Sequence, residues 1–157
     1  MEESKEQLDQ PPPTNVTVHG DVDIDYTWLE NRTLDALGCL SKHHCEVSIR
    51  VVRDEEMCEL HATHSGIEGT TDVLTFDHGS DAEFVNADLA ICFDVAVRES
   101  EKRKHPLQNE LLLYIVHGIL HCIGFDDHNK DDHNRMHQEE DRVLESIGVG
   151  ATWSSRK

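Results

Sequence analysis

The sequence has few positive charges and no long apolar run. Its 157 residues include 14 lysines and arginines against 32 aspartates and glutamates, so the formal net charge is −18. Because nucleic-acid binding normally draws on lysine and arginine, this balance argues against tight, nonspecific binding of nucleic acid. No stretch approaches the roughly 18 consecutive apolar residues that a membrane span requires, so we expect no membrane protein.

The cysteines indicate a reducing compartment. There are five, an odd number, and none forms a CxxC motif, as is typical of reduced cytoplasmic thiols rather than a disulfide framework. The acidic, proline-rich start, MEESKEQLDQPPP, lacks the positive and apolar regions of a signal peptide. We therefore predict a cytoplasmic protein with a disordered tail over residues 1–13, one domain over residues 14–148 and a short C-terminal tail over residues 149–157.

Hydrophobic periodicity predicts about four strands and about five helices in that domain. The predicted strands cover residues 16–19, 45–52, 71–76 and 87–92. The predicted helices cover residues 26–40, 54–63 with Asp54 as the cap, 94–103, a long helix opened by Pro106, and a last helix from Asp131 or Asp132 to about Gly148. Strands and helices that alternate this unevenly favour the α+β class.

The segment HGILHCIGFDDH, residues 117–128, concentrates metal-binding side chains. His117 and His121 lie four residues apart within the apolar run LLLYIVHGILHCIG, so on a buried helix both imidazoles project from one face. Gly124 can end this helix in a left-handed conformation, after which the chain can bring His128 back toward the pair. Burying two neighbouring imidazoles is costly without a cation or other partners, so the pattern predicts a metal site. Three histidine ligands would leave a fourth position for water.

The same segment resembles the HGxLHLxGYDH signature of the YbeY family, the metal-dependent, single-strand-specific endoribonucleases of bacterial ribosomal RNA maturation. The predicted strand TDVLTF resembles the family's TDVLSF, and ADLAIC resembles its GDIVIC. The last helix is similar to the family pattern at Met136, Glu140, Val143, Leu144 and Gly148. The likeness runs over residues 14–148.

The resemblance implies a single zincin-like domain in which the metal-binding helix packs on a small mixed sheet. It implies an endoribonuclease that cuts single-stranded rRNA during 16S rRNA 3′ end maturation and ribosome quality control. The implied partners are this RNA and the ribosome or its small subunit. One Zn²⁺ ion is the expected cofactor, with Ni²⁺ or another divalent ion as the alternative.

Two positions depart from the family pattern. The third family histidine usually follows the second by six residues, which is Asp127 here, and His128 comes one residue later. The third ligand is therefore His128 or Asp127, and we favour His128 because a loop after glycine can absorb one residue and imidazole keeps the site all-nitrogen. Ser65 stands where many members carry an arginine, whose guanidinium could clamp a phosphate.

Catalytic roles are assigned to His117, His121, Asp126 and Asp127. The two aspartates are the nearest carboxylates for moving a proton or orienting a ligand imidazole, with simple loop solvation as the alternative. Gly118 replaces the glutamate of HExxH metalloproteases, so that peptidase machinery is missing. The rival functions are another metallohydrolase, such as a peptidase or phosphoesterase, and a non-catalytic ribosome-assembly factor with a structural metal.

Two further features have less specific patterns. A basic strip that could bind RNA is predicted from Arg98, Lys102, Arg103 and Lys104, with Arg50 and Arg53 nearby, although a solvated face of mixed charge fits the same residues. His133 and His137 repeat the four-residue spacing of the first pair. Their polar surroundings, DDHNRMHQEEDR, predict a solvated helix face, so we leave them out of the site.

Overall fold

The computed structural model describes residues 13–150, and apart from residues 13, 149 and 150 the two predicted tails lie outside these residues. The strands are β1 (Asn15–Gly20), β2 (Glu46–Val52), β3 (Val73–Asp77) and β4 (Asn86–Cys92). The helices are α1 (Tyr26–Cys39), α2 (Asp54–Ser65), α3 (Phe93–Arg103), α4 (Leu107–Cys122) and α5 (Lys130–Ser146). The predicted α+β class, with four strands and five helices in the described part of the chain, is confirmed.

The strands form one mixed sheet in the order β1-β2-β4-β3. Strands β1, β2 and β4 are parallel, and β3 runs antiparallel to β4. Strand β4 is buried on both faces, because Leu89 and Ile91 join the main core while Ala90 and Cys92 join a smaller cluster around Met57 of α2. The alternation of inward and outward side chains makes such a two-sided strand possible.

Helix α4 lies against this sheet and forms the centre of the core. All residues from Leu111 to Val116 are buried, as the apolar run predicts. Gly118 permits the close approach, since a Cβ atom there would lie 3.0 Å from Cδ2 of Leu89 and 3.2 Å from Oγ1 of Thr75. This packing holds the C-terminal turns of α4 at one edge of the core.

Two helix starts differ from prediction. Arg53, not Asp54, is the N-cap of α2, and the Asp54 carboxylate instead accepts two hydrogen bonds from Arg98. Helix α5 begins earlier than Asp131 because the Asn129 side chain accepts a hydrogen bond from the Asp132 amide and so caps the helix there. Among residues 13–150, no helix combines the length and hydropathy of a membrane-spanning segment.

Candidate metal centre

His117 and His121 meet at the C-terminal end of α4. Their Nε2 atoms are 3.0 Å apart, and the two rings stand nearly perpendicular, at 82°. Both side chains are only partly exposed. The predicted convergence of the two imidazoles is therefore present.

The other ring nitrogen of each histidine faces an acceptor. Nδ1 of His117 lies 2.6 Å from Oε2 of Glu140, and Nδ1 of His121 lies 3.1 Å from the carbonyl oxygen of Phe125. A carboxylate and a carbonyl can only accept, so each Nδ1 carries a proton, and in the neutral imidazole the Nε2 atom then presents a lone pair. Two lone pairs that face each other at 3.0 Å repel unless a cation or a proton lies between them. Two imidazoles that bind one metal ion face each other in this way.

The turn after α4 positions this pair. Gly124 has a φ of 105°, and the predicted left-handed conformation at this glycine is confirmed. The Gly124 amide donates to the His121 carbonyl at 3.2 Å, and the Phe125 amide donates to the Leu120 carbonyl at 3.0 Å. These two bonds form a Schellman motif, which satisfies the last carbonyls of the helix and places the Phe125 carbonyl against the His121 ring.

The loop that follows brings Asp127 to the histidine pair. Oδ2 of Asp127 lies 3.9 Å from Nε2 of His117 and 4.0 Å from Nε2 of His121. Tetrahedral coordination with bonds of about 2.0–2.2 Å places donor atoms about 3.3–3.6 Å apart, so the three atoms fit one ion after small movements. His117, His121 and Asp127 are accordingly a group that could hold a metal ion.

His128, which we favoured from the sequence, lies outside this group. Its side chain is 82% exposed, and its Nε2 lies 3.1 Å from Oδ1 of Asp126. Only one of two consecutive side chains in this loop faces α4, and in the structure that residue is Asp127. The structure thus differs from our preference for His128, because Asp127, the alternative third ligand, lies beside the histidine pair. Asp126, Asp127 and His128 form a second, more exposed group of ligand atoms within 4.8 Å of one another.

Glu140 holds the site together from a distant part of the chain. Its carboxylate is 1% exposed, with Oε2 bound to His117 and Oε1 2.5 Å from Nδ1 of His137. Burial opposes its charge, but the hydrogen bonds from His117 and His137 outweigh burial, so the pKa of Glu140 lies below its usual value. A buried carboxylate that orients a ligand imidazole is the usual outer partner of a metal-binding histidine.

The two imidazoles of the pair respond differently to this environment. Burial lowers the pKa of His117, but the hydrogen bond that it donates to Glu140 reverses the effect, so the net shift is upward. Burial and then the nearby charge of His117 lower the pKa of His121. His121 is therefore neutral at physiological pH, as a metal ligand must be. At His117, a bound cation would replace the proton as the positive charge that interacts favourably with Glu140.

His133 and His137 do not form a solvated face, so that prediction was wrong. His137 is 8% exposed and donates to Glu140, and His133 is half-buried. The spacing of Met136, His137 and Glu140 on α5 is the signal that could have revealed this, because these residues share the buried side of the helix. Neither Glu140 nor His137 had been assigned to the site from the sequence.

A cleft of about 290 Å³ opens beside His117. Glu99, Arg103, Tyr114 and Glu140 are among its lining residues. Arg103 is the only cationic side chain in this lining besides histidine, and its guanidinium lies 2.6 Å from Glu110 and 3.2 Å from Glu99. The cleft gives a ligand direct access to the His117 side of the site.

The predicted basic strip is largely neutralised by carboxylates. The ion pairs are Arg98 with Asp54, Arg53 with Asp94, Lys102 with Glu99, Arg103 with Glu110 and Arg50 with Glu56. Ser65, at the position of the family arginine, is the exposed last residue of α2. Positive charge on this surface is therefore weaker than the run of lysines and arginines in the sequence indicates.

The comparisons with known proteins agree with the motif. The model of the family described as Endoribonuclease YbeY matches residues 14–148. The chain is 34% identical to Endoribonuclease YbeY of Frankia alni over 64% of this chain and 62% of that protein, and 33% identical to that of Chloroflexus aggregans over 67% and 75%. The match to the protein of Frankia casuarinae covers 56% of its length, so the chain spans less than two thirds of both Frankia relatives.

A solved structure shows the same fold. The solution structure of TM1509 from Thermotoga maritima superposes with a TM-score of 0.64, at 22% sequence identity, over 85% of this chain and 89% of that one. At this identity the likeness concerns the fold alone. The family model, in contrast, covers most of the sequence, including the histidine motif and Glu140. This chain therefore belongs to the YbeY family.

Proposed function

We propose that this protein is a metal-dependent endoribonuclease that cleaves single-stranded ribosomal RNA. The observation that carries the proposal is the pair of Nε2 atoms of His117 and His121, which lie 3.0 Å apart beside the Asp127 carboxylate, with His117 also lining a cleft. Its relatives in the family bear the name endoribonuclease. By analogy with that family, we place its action in the cytoplasm, at the 3′ end of 16S rRNA in the small ribosomal subunit and in ribosome quality control.

His117, His121 and Asp127 would hold the ion, and we infer Zn²⁺ because two imidazoles and one carboxylate are a common catalytic zinc set. Ni²⁺ or another divalent ion that prefers similar ligands is the alternative. When bound by His117, His121 and Asp127, a divalent ion would supply Lewis-acid chemistry for phosphodiester hydrolysis. Three ligands rather than four therefore favour an enzyme over a structural metal site.

The remaining residues position groups and move protons. Glu140 accepts the Nδ1 hydrogen of His117 and so keeps that imidazole in the tautomer and orientation that ligation needs. We assign proton handling to Asp126, whose carboxylate is paired with His128 at 3.1 Å and lies within 4.8 Å of the Asp127 carboxylate. A carboxylate hydrogen-bonded to an imidazole can pass a proton to or from a phosphodiester oxygen by general acid–base catalysis.

The charge of the surface favours a single-stranded substrate. Because the nearby lysines and arginines are paired with carboxylates, binding to a phosphate backbone is expected to be weak and sensitive to salt. A flexible single strand can bend one phosphate into the cleft beside His117, whereas a duplex keeps its phosphates on a wide, stiff cylinder. Selectivity for single strands would then follow from access rather than from base contacts.

A cleavage assay with single-stranded and duplex RNA tests the proposal. The wild-type protein loaded with Zn²⁺ should cut the single strand, and both the chelator-stripped protein and His121→Ala should be inactive. His43→Ala, which changes an exposed histidine outside the site, is the matched control and should retain activity. Cleavage by the metal-free protein, or equal rates on duplex and single strand, would contradict the proposal.

A further inference from the structure

We propose that His133 and His137 on α5 form a second binding site for a divalent transition-metal ion, separate from the candidate metal centre on α4. The two residues lie four apart, as His117 and His121 do. Their Nε2 atoms are 3.0 Å apart, the same separation as in the first pair. Their rings meet at 81°, against 82° in the first pair. The geometry that marks the first pair is thus repeated on a second helix.

The hydrogen bonding of His137 also matches that of His117. Glu140 binds His117 through Oε2 and His137 through Oε1, at 2.6 and 2.5 Å between oxygen and Nδ1. Because an ionised carboxylate can only accept, Nδ1 of His137 carries a proton, and in the neutral imidazole its Nε2 presents a lone pair toward His133. A single buried carboxylate therefore orients one histidine of each pair for ligation.

The donor set selects the class of ion. Two imidazole nitrogens favour Zn²⁺, Ni²⁺ or Cu²⁺ over Mg²⁺ or Ca²⁺, which prefer oxygen ligands. His133 is half-buried, so water can complete the coordination sphere. With two protein ligands the site is expected to bind more weakly than the three-ligand centre.

The second ion would not take part in a two-metal cleavage mechanism. Such mechanisms place two ions about 3.5–4 Å apart. Here each ion would lie beyond an Nε2 atom, while Glu140 contacts the opposite nitrogen of each ring, so two imidazoles and a carboxylate separate the sites. The second site is instead connected to the first through the carboxylate that both pairs share.

Metal stoichiometry of the full-length protein tests the proposal. The protein is stripped with a chelator and titrated with Zn²⁺ alone, with bound metal measured by calorimetry and by elemental analysis after dialysis. The wild type should bind two equivalents, the second more weakly. His133→Ala should lose the weaker equivalent and keep the tighter one, whereas Asp127→Ala should lose the tighter one, so failures of the two sites are distinguishable.

Two further variants complete the design. His137→Gln removes the ring nitrogen but leaves an amide that can donate to Glu140, and it should also bind one equivalent. His19→Ala, which alters an exposed histidine on β1, controls for nonspecific binding and should still bind two. A single equivalent in the wild type, or an unchanged stoichiometry in His133→Ala, would overturn the second site.

Discussion

Replacing Glu140 by glutamine keeps the size of the side chain but removes its charge and one of its two acceptors. The amide offers one oxygen and one NH₂ group to the Nδ1 atoms of His117 and His137, both of which need an acceptor. The imidazole that meets the NH₂ group must accept through Nδ1 and carry its proton on Nε2. A proton on Nε2 blocks metal binding at that histidine.

The expected effect on metal affinity is large. Loss of an outer-shell partner of a ligand histidine typically reduces affinity about 10- to 100-fold, which corresponds to about 1.4–2.8 kcal/mol. Glu140 is 1% exposed, so water cannot easily replace the lost acceptor, and we expect a decrease near the upper end of that range.

Competition with a chromophoric chelator measures the affinity for Zn²⁺, and circular dichroism establishes that the variant is folded. Glu145→Gln makes the same chemical change at an exposed position of α5 and should bind Zn²⁺ like the wild type. If folded Glu140→Gln binds Zn²⁺ with wild-type affinity at both sites, Glu140 does not orient the ligands and the tautomer argument is refuted.

Three other predictions follow from the loop, the turn and an ion pair. Asp127→Ala should reduce the affinity for Zn²⁺ at the tighter site by at least about 100-fold, because loss of a direct ligand costs no less affinity than loss of an outer partner. His128→Ala should leave that affinity unchanged. The reverse pattern in a chelator competition would make His128 the ligand. Gly124→Ala should lower the free energy of unfolding in urea by about 1–2 kcal/mol, because the residue has a φ of 105° and an added Cβ meets no atom within 4 Å, so the cost is the backbone conformation alone. The hydrogen bonds from Arg98 lower the pKa of Asp54 to about 2. This partly exposed pair contributes about 0.2–1 kcal/mol of stability after solvent screening. The contribution is present above the usual aspartate pKa and is lost as the pH falls toward 2. Acid unfolding of Asp54→Asn should show less loss of stability over that interval, and parallel curves for the variant and the wild type would exclude this contribution.

The histidine pair of α4 could be predicted from the sequence because it depends on local geometry. A four-residue spacing on a helix places His117 and His121 on one face whatever surrounds the helix. The end of that helix is equally local, since Gly124 adopts its left-handed conformation within the turn itself. The strands and helices also lie close to their predicted bounds, because the hydrophobic periodicity that predicts them depends on residues close together in the sequence.

The choice between Asp127 and His128 as third ligand could not be made from the local sequence. Both residues lie in the short loop between α4 and α5, and its path depends on how these helices pack. Glu140 is 23 residues away from His117 in sequence, so only the packing of α5 on α4 brings its carboxylate to that imidazole. The same packing buries His137, although its sequence neighbours are polar.

By itself, the sequence determined the family, the class of fold, the histidine pair on α4 and the glycine that ends this helix. The tertiary structure decided which carboxylate joins the pair, which one orients it, and which lysines and arginines are neutralised by carboxylates. The physical reason is the range of the interactions involved. Backbone conformation and helical spacing act over a few residues, whereas ligand convergence, burial of charge and ion pairing depend on side chains that the fold brings together from distant parts of the chain.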